Sequence, residues 1–447
     1  MKRSIFTFFF MVCFISNAQM GYTDSLSAKQ AVIIALENNY DIQVSNAQVD
    51  IAEKNNSWSE AGLYPTVTLN VAYNNSIQDN SNNPFTFTPG LILYRSLAPN
   101  LSFNMNLFSG FAVKISKERL NKLEEQSNGN AMLVIESIIL DVLKAYYGAR
   151  VQYERLVVLD KLKSNSLSRY KFYKVKEKYA SSTSLEGLQF KNQYFSDSTN
   201  AFVQELSYKN AVRNLYLLMN NKEVTQELNV PFLSDSLNIN FPLIDFEETR
   251  NSLKTNNQQL KNQFMAIELQ QLNTSFQKSF LYPTLSLQGG FMPSKNWFED
   301  LNDPSMKIST EVLVYNGSVN LRYSIFNNWK NKRAVEVSKI QESIAELNYK
   351  NMEKSVTNAL ANLIDSYQGN AKVVELASIN MDYALRAYKL AEKRYEYGTL
   401  NSVDLLVFKN TYENQVLQYY EFLYNKLSTY LEIYRMSGKL SLEYVQN

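Results

Sequence analysis

The sequence predicts an exported α+β membrane protein made of two copies of one unit, each ordered helix, strand, strand, very long helix, helix. Three observations carry this. The chain begins MKRSIFTFFFMVCFISNAQ, with Lys2 and Arg3 as a basic stretch, Ile5 to Ile15 as an apolar core and Ser16-Asn17-Ala18 as a small-residue cleavage site. Self-similarity recurs at a single offset: LYPT at Leu63–Thr66 returns at Leu281–Thr284, 281 − 63 = 218 residues later. Finally, four alternating apolar and polar runs have roughly the 10 residues that a tilted barrel strand needs, whereas no later stretch is apolar enough for a membrane helix.

The remaining repeat matches keep this register. Asn38-Asn39 falls on Asn256-Asn257, LSFNMNLF (101–108) on VNLRYSIF (319–326), Phe111 on Trp329, and Phe190-Lys191-Asn192 on Phe408-Lys409-Asn410. They divide the chain into an export segment 1–18, a first repeat 19–220, a linker 221–248, a second repeat 249–440 and a tail 441–447. Within the repeats the pattern predicts strands at about 66–76 and 100–108, then 284–292 and 318–326. Long helices follow at about 111–179 and 329–397, and return helices at about 184–220 and 402–437.

Composition removes whole classes of function. Of 447 residues, the single cysteine is Cys13, inside the export segment, and Val12 and Phe14 beside it argue against lipidation. Without histidine there is no Ser-His-Asp triad, Cys-His dyad or imidazole metal site. No glycine-rich phosphate loop is present, so neither catalysis nor a cofactor is expected. Basic and acidic residues number 45 and 43; without Lys2 and Arg3 they balance, which leaves no polycation to attract nucleic acid. Aromatics make up 13%, with 30 tyrosines, and an exported chain of this kind without membrane helices is either soluble or a β-type membrane protein.

Each element has a local reason. Pro65 and Pro283 cannot continue a helical hydrogen-bond ladder and disfavour helix in the residue before, so each LYPT marks a helix-to-strand handover. In the strands Val67, Leu69, Val71 and Tyr73 alternate with Thr66, Thr68, Asn70 and Ala72, and Val319 and Leu321 alternate with Asn320 and Arg322. Such alternation marks half-buried strands or lipid-facing barrel strands; in a barrel the hydrophilic set Asn70, Asn104, Gln288, Asn320 and Arg322 would face a water-filled lumen and do no more than solvate it. Tyr64 and Tyr282 before strands, with Phe111 and Trp329 after them, are expected to form an aromatic belt at one membrane interface. Residues 77–99 and 293–317, holding five of the nine prolines, read as surface loops.

Met132, Ile135, Ile139, Val142, Tyr146, Ala149, Tyr153 and Leu156 step by three and four, a heptad seam. A helix from Phe111 to Tyr179 would measure on the order of 100 Å, which demands coiled-coil packing. Each long helix ends at a short break, KYASSTSLEGL (178–188) and RYEYGTLNSVDLL (394–406). Gly398 suits a left-handed C-cap, Thr183-x-x-Glu186 reads as a capping box, and Asn401-x-x-Asp404 as its relative with aspartate bonding back.

Duplicated helix–strand–strand–helix halves, a proline at each handover and RYEYGTLNSVDLL together resemble the TolC-type outer-membrane efflux proteins, over essentially the whole mature chain. The resemblance implies a homotrimer with a twelve-stranded β-barrel, four strands per chain, in the outer membrane of a Gram-negative type of cell. It implies a periplasmic α-helical coiled-coil tunnel below, and passive export as the exit duct of a tripartite efflux pump or type I secretion system. A periplasmic adaptor and an inner-membrane pump are the implied partners, and the turns Ala180–Ser184 and Gly398–Ser402 the implied docking points. Tyr395 and Asp404 match the tyrosine and first aspartate that line the family's periplasmic aperture, while Val407 and Leu400 stand where a second aspartate and an arginine belong. Glu186 and Gly398 are candidates at the tips, Glu186 primarily as a cap. A different reading, a non-channel coiled-coil scaffold, leaves the four strand-length runs without a purpose.

Overall fold

The computed structural model describes residues 25–86, 89–179, 184–220, 231–237, 242–303 and 305–444. The expected export segment, the first-turn residues Ala180–Thr183 and much of the linker lie outside the described residues. In chain order the elements are β1 (Ser25–Leu26), α1 (Ala28–Asn38), α2 (Tyr40–Asn55), β2 (Thr66–Asp79), β3 (Leu91–Ser109), α3 (Ala112–Lys178) and α4 (Ser184–Leu218). There follow β4 (Phe232–Leu233), α5 (Phe246–Asn256), α6 (Gln258–Ser279), β5 (Thr284–Asp300), β6 (Lys307–Arg322), α7 (Lys330–Glu396), α8 (Ser402–Met436) and α9 (Lys439–Tyr444).

The repeat is a repeat of backbone. α1 and α5 each have 11 residues, α3 and α7 each 67, α4 and α8 each 35, and every pair starts 218 residues apart. The caps repeat as well. Ser27 and Asp245 accept from the amides of Gln30 and Glu248, and Asn39 and Asn257 donate side-chain N–H to Leu218 O (2.9 Å) and Met436 O (3.0 Å). Left-handed backbone falls at Gly110-Phe111 and again at Asn328-Trp329, then at Asn220 and again at Gly438. At Gly110 a side chain is impossible, because a Cβ would sit 2.2 Å from Ser279 O.

The chain forms two compact units. One comprises residues 40–137, 244–365 and 433–447 and holds the sheet, ordered β2-β3-β5-β6 and antiparallel throughout. Its register puts every odd-numbered residue of the four strands on one face, up to the bulge between Asn106 and Phe108. Val67, Leu69 and Val71, Leu101 and Phe103, Leu287 and Phe291, and Val319 and Leu321 share that face. Val67, Leu69 and Leu321 are 65–71% exposed, an apolar surface suited to cover by lipid or by another protein.

The even face carries Asn70, Asn104, Gln288, Asn320 and Arg322 together. Thr66, Asn104, Gln288 and Ser318 align in one cross-strand row, and Asn106, Ser286 and Asn320 in the next.

The strands extend well into the expected loops, leaving only 80–90 and 301–306 as connectors, and β6 stops at Arg322, short of 326. Prolines misled the pattern. Pro99 pairs with Val71 and Pro293 with Leu313, and β3 and β5 do not pair at Ala98–Asn100, where the two prolines meet. Neither therefore forfeits a bond its neighbour needs.

The other unit comprises residues up to Asn39 together with 138–243 and 366–432. Heptad residues Ile139, Val142, Tyr146 and Ala149 are fully buried in it, each large side chain contributing about 1.5–3 kcal/mol of hydrophobic stabilisation. Two residues of β1 pair in parallel with two of β4, which the sequence did not announce. Tyr146 ties the pair down, its hydroxyl donating to Leu26 O (2.8 Å) and accepting from Asp235 N (3.1 Å).

Candidate functional site

The site lies in the second unit, where α7 turns into α8. Helix α7 ends in a Schellman turn: Thr399 N donates to Arg394 O (2.9 Å) and Gly398 takes φ +74°, open to solvent with nothing near a would-be Cβ. Asn401 then caps α8, accepting from Asp404 N at 2.8 Å. Asp404 does not close a capping box on the Asn401 backbone; its Oδ2 accepts from the Asn401 side-chain amide (2.8 Å) and the residue stays exposed. Next to it Leu405 is fully buried against Leu159, Leu162, Ala201, Tyr388 and Ala391, which fixes the start of α8 on its neighbours.

Tyr395 and Glu186, predicted separately, meet. The Tyr395 hydroxyl donates to Glu186 Oε1 at 2.6 Å, joining the end of α7 to the first turn of α4. Burial first, and the carboxylate second, push the Tyr395 hydroxyl well above its ordinary range, so it remains a donor at any physiological pH. Its ring meets Phe190 edge-on at 5.6 Å, and Phe190 in turn lies 6.1 Å from Tyr173. Glu186 is thus a partner as well as a first-turn acid; the Thr183 half of its capping box lies outside the described residues. Asp404 is not drawn to this pair.

Two clusters escaped sequence reasoning. Lys409 is 3% exposed and bonds Asp197 Oδ1 and Glu413 Oε2, both at 2.5 Å, with Gln193 also donating to Asp197. Arg169 pairs with Glu392, donates to the Tyr388 hydroxyl (2.6 Å) and covers that ring at 5.5 Å; burial drives Tyr388 up to about 12. The tyrosine stacks repeat too: Tyr170 on Tyr194 (6.3 Å) and Tyr388 on Tyr412 (5.9 Å), each position displaced by 218. The repeated FKN motif was the one signal pointing at Lys409.

In the sheet unit, Phe111 meets Tyr282 edge-on at 5.9 Å, and Trp329 meets Phe326 at 5.8 Å. Tyr64, Tyr282, Phe111 and Trp329 are all more than half exposed. Among the described residues no helix is long and apolar enough to cross a membrane, and no cluster of acidic residues or cysteines could hold a metal ion.

The family model for the outer membrane efflux protein matches residues 32–221 and 249–439, one segment per repeat. The chain belongs to that family. As an outer membrane efflux protein it works in export at the outer membrane. Solved structures share the fold. CusC, studied for its folding and transmembrane channel formation, superposes with a TM-score of 0.72 at 15% identity, over 92% of each chain. The CmeC outer membrane channel of Campylobacter jejuni gives 0.71 at 16%, over 92% of this chain and 85% of that one. The open MtrE outer membrane channel of Neisseria gonorrhoeae gives 0.66 at 17%, over 92% and 88%. No curated protein sequence matches the chain.

Proposed function

We propose that three copies of this efflux protein close a twelve-stranded barrel and serve as the exit duct of a tripartite pump, with α3, α4, α7 and α8 forming the periplasmic tunnel. The observation that carries the reading is the sheet's two open edges, on β2 and β6, beside a lipid-suited face. Lipid does not tolerate unpaired strand edges, so neighbouring copies must cover them. On the odd face the apolar rows run from Leu285–Leu321 to Pro293–Leu313, about 27 Å along the strands and about 20 Å across a membrane after a ~40° tilt.

The repeat specifies the joint. Asn104↔Gln288 within the chain, moved by the offset (104 + 218 = 322; 288 − 218 = 70), becomes Arg322 of β6 against Asn70 of the next copy's β2. The Phe111–Tyr282 contact likewise becomes Trp329 against Tyr64 of the next copy, completing an aromatic belt. Asn70, Asn104, Gln288, Asn320 and Arg322 then line the lumen. At the periplasmic end the Tyr395–Glu186 bond holds the aperture closed, and three copies of Asp404 make it cation-preferring. A periplasmic adaptor docks at the turns, and an inner-membrane pump supplies the energy; the duct itself catalyses nothing.

The test uses a chain carrying Asn70→Cys and Arg322→Cys, since Cys13 is the only natural cysteine. Oxidation of the purified protein should give a covalent trimer that reductant dissolves. Species that stop at monomer under oxidation, from protein that still inserts into membranes, would sink the barrel joint.

A further inference from the structure

The two faces of the sheet exchange character towards its outer end. On the odd face, past the apolar rows, stand Leu97↔Lys295↔Glu311, Arg95↔Trp297↔Ser309 and Leu93↔Glu299↔Lys307. Arg95 and Lys307 both reach Glu299, at 2.6 and 2.8 Å, and Lys295 pairs with Glu311. Five charges on this face place these rows in water, outside the hydrocarbon.

The even face does the opposite. Its inner rows include Thr66, Asn104, Gln288 and Ser318; further out come Met292↔Val314 and Ser294↔Val312, then a polar row Asn74↔Ser96↔Asn296↔Thr310, and beyond it Ser76↔Tyr94↔Phe298↔Ile308. Tyr94 and Phe298 rings lie 5.1 Å apart, and the Tyr94 hydroxyl is turned back to Asn296 Oδ1 (2.9 Å). One row further out on the same face is Asp300, opposite Ile92. Apart from Arg322 at the inner end, Asp300 is the only charged residue this face carries within the four strands.

A mouth that served only to hold water would continue the amides and hydroxyls of the row Asn74, Ser96, Asn296 and Thr310 outward. Aromatic and aliphatic side chains turned inward, under a charged exterior, instead offer dry surface to something passing through. The ring faces of Tyr94 and Phe298 favour a cation over an anion, and the Asp300 carboxylate adds to that preference.

We propose that Tyr94, Phe298 and Ile308, with Asp300 beyond them, form a collar inside the outer mouth that binds amphiphilic organic cations as they leave. In a trimer the collar repeats three times around the opening. This rests on the even face lining the lumen, as in the proposed function. The collar acts on the last step of export, releasing cargo from an apolar rim, and it distinguishes lipophilic cations from small hydrated ones.

The experiment reads potassium current through the full chain in planar bilayers while tetraphenylphosphonium is added. Block by tetraphenylphosphonium but not by tetramethylammonium is expected. The Phe298→Asn/Ile308→Asn variant should raise the half-blocking concentration about tenfold, and Asp300→Asn about threefold, with trimer assembly intact. Should the double variant not assemble, Ile308→Ser alone is read, with about a threefold shift expected. Unchanged block in the assembled variants overturns the collar. Asn320→Asp, in the inner rows, separates the two readings: altered potassium-to-chloride selectivity there with unchanged block at the collar leaves the duct standing and removes the collar. Unaltered selectivity at Asn320 removes the lumen-facing assignment, and the collar with it.

Discussion

The two halves of the chain have the same backbone and different chemistry at their tips. Caps, left-handed turns and tyrosine stacks recur at the 218 offset, because each answers a local demand that both halves share. Two side-chain contacts between helices do not recur. Moved by the offset, the Tyr395–Glu186 pair falls on Glu177 and Asp404 (395 − 218 = 177; 186 + 218 = 404), two carboxylates with no donor between them. Lys409 with Asp197 falls on Lys191 with Gln415, an exposed lysine and a neutral amide. After duplication, a contact made inside one chain and its image made between neighbouring copies are free to diverge. At the first of these pairs only the internal contact has a donor: Tyr395 donates to Glu186, whereas Glu177 and Asp404 are both carboxylates.

The largest effect should come from breaking the asymmetry at the lysines. Lys409→Met leaves Asp197 buried with no cation, a loss of about 3–5 kcal/mol; Lys191→Met, at an exposed position, should stay within about 0.5 kcal/mol. Denaturant unfolding of the two variants in detergent measures the contrast, and equal losses would show that the halves are chemically equivalent after all. Next in size, Asn39→Ala and Asn257→Ala should each cost about 2 kcal/mol and resemble one another, since each buried amide serves a repeated cap. A large difference between these two would mean that the backbone repeat is not energetic. The smallest effect is at the proposed aperture: Tyr395→Phe should cost about 1–2 kcal/mol yet raise single-channel conductance, whereas Asp404→Asn should lower cation preference with little change in stability. A Tyr395→Phe channel with wild-type conductance would exclude the Tyr395–Glu186 bond from gating.

Period-two alternation and the LYPT joints made the strands legible, because side-chain alternation and the missing proline N–H are local facts. Their outer halves were not. Pro99 and Pro293 looked like loop residues, and only the register reveals that each occupies the gap left by the other. Half of the candidate site was legible in the same way. Gly398 and Asn401 act through their own turns and could be read from spacing alone. The Tyr395–Glu186 bond joins residues 209 apart, and Lys409 defies the ordinary expectation that a lysine on a helix is solvated; both follow from packing between helices. The two-residue pairing of β1 with β4 is too short to leave any periodic trace.

The open edges of β2 and β6 also determine how assembly proceeds in time. Any open row of copies, whatever its length, has two bare edges, and only a closed ring has none. Each joint covers two edges, so every step relieves the same amount, but only the joint that closes the ring leaves no edge bare. Under the proposed closure, a lipid-facing sheet with no bare edge exists only in the complete ring. A minority of chains with one spoiled edge would then poison every ring they entered, a dominant defect in a protein whose individual folds are intact.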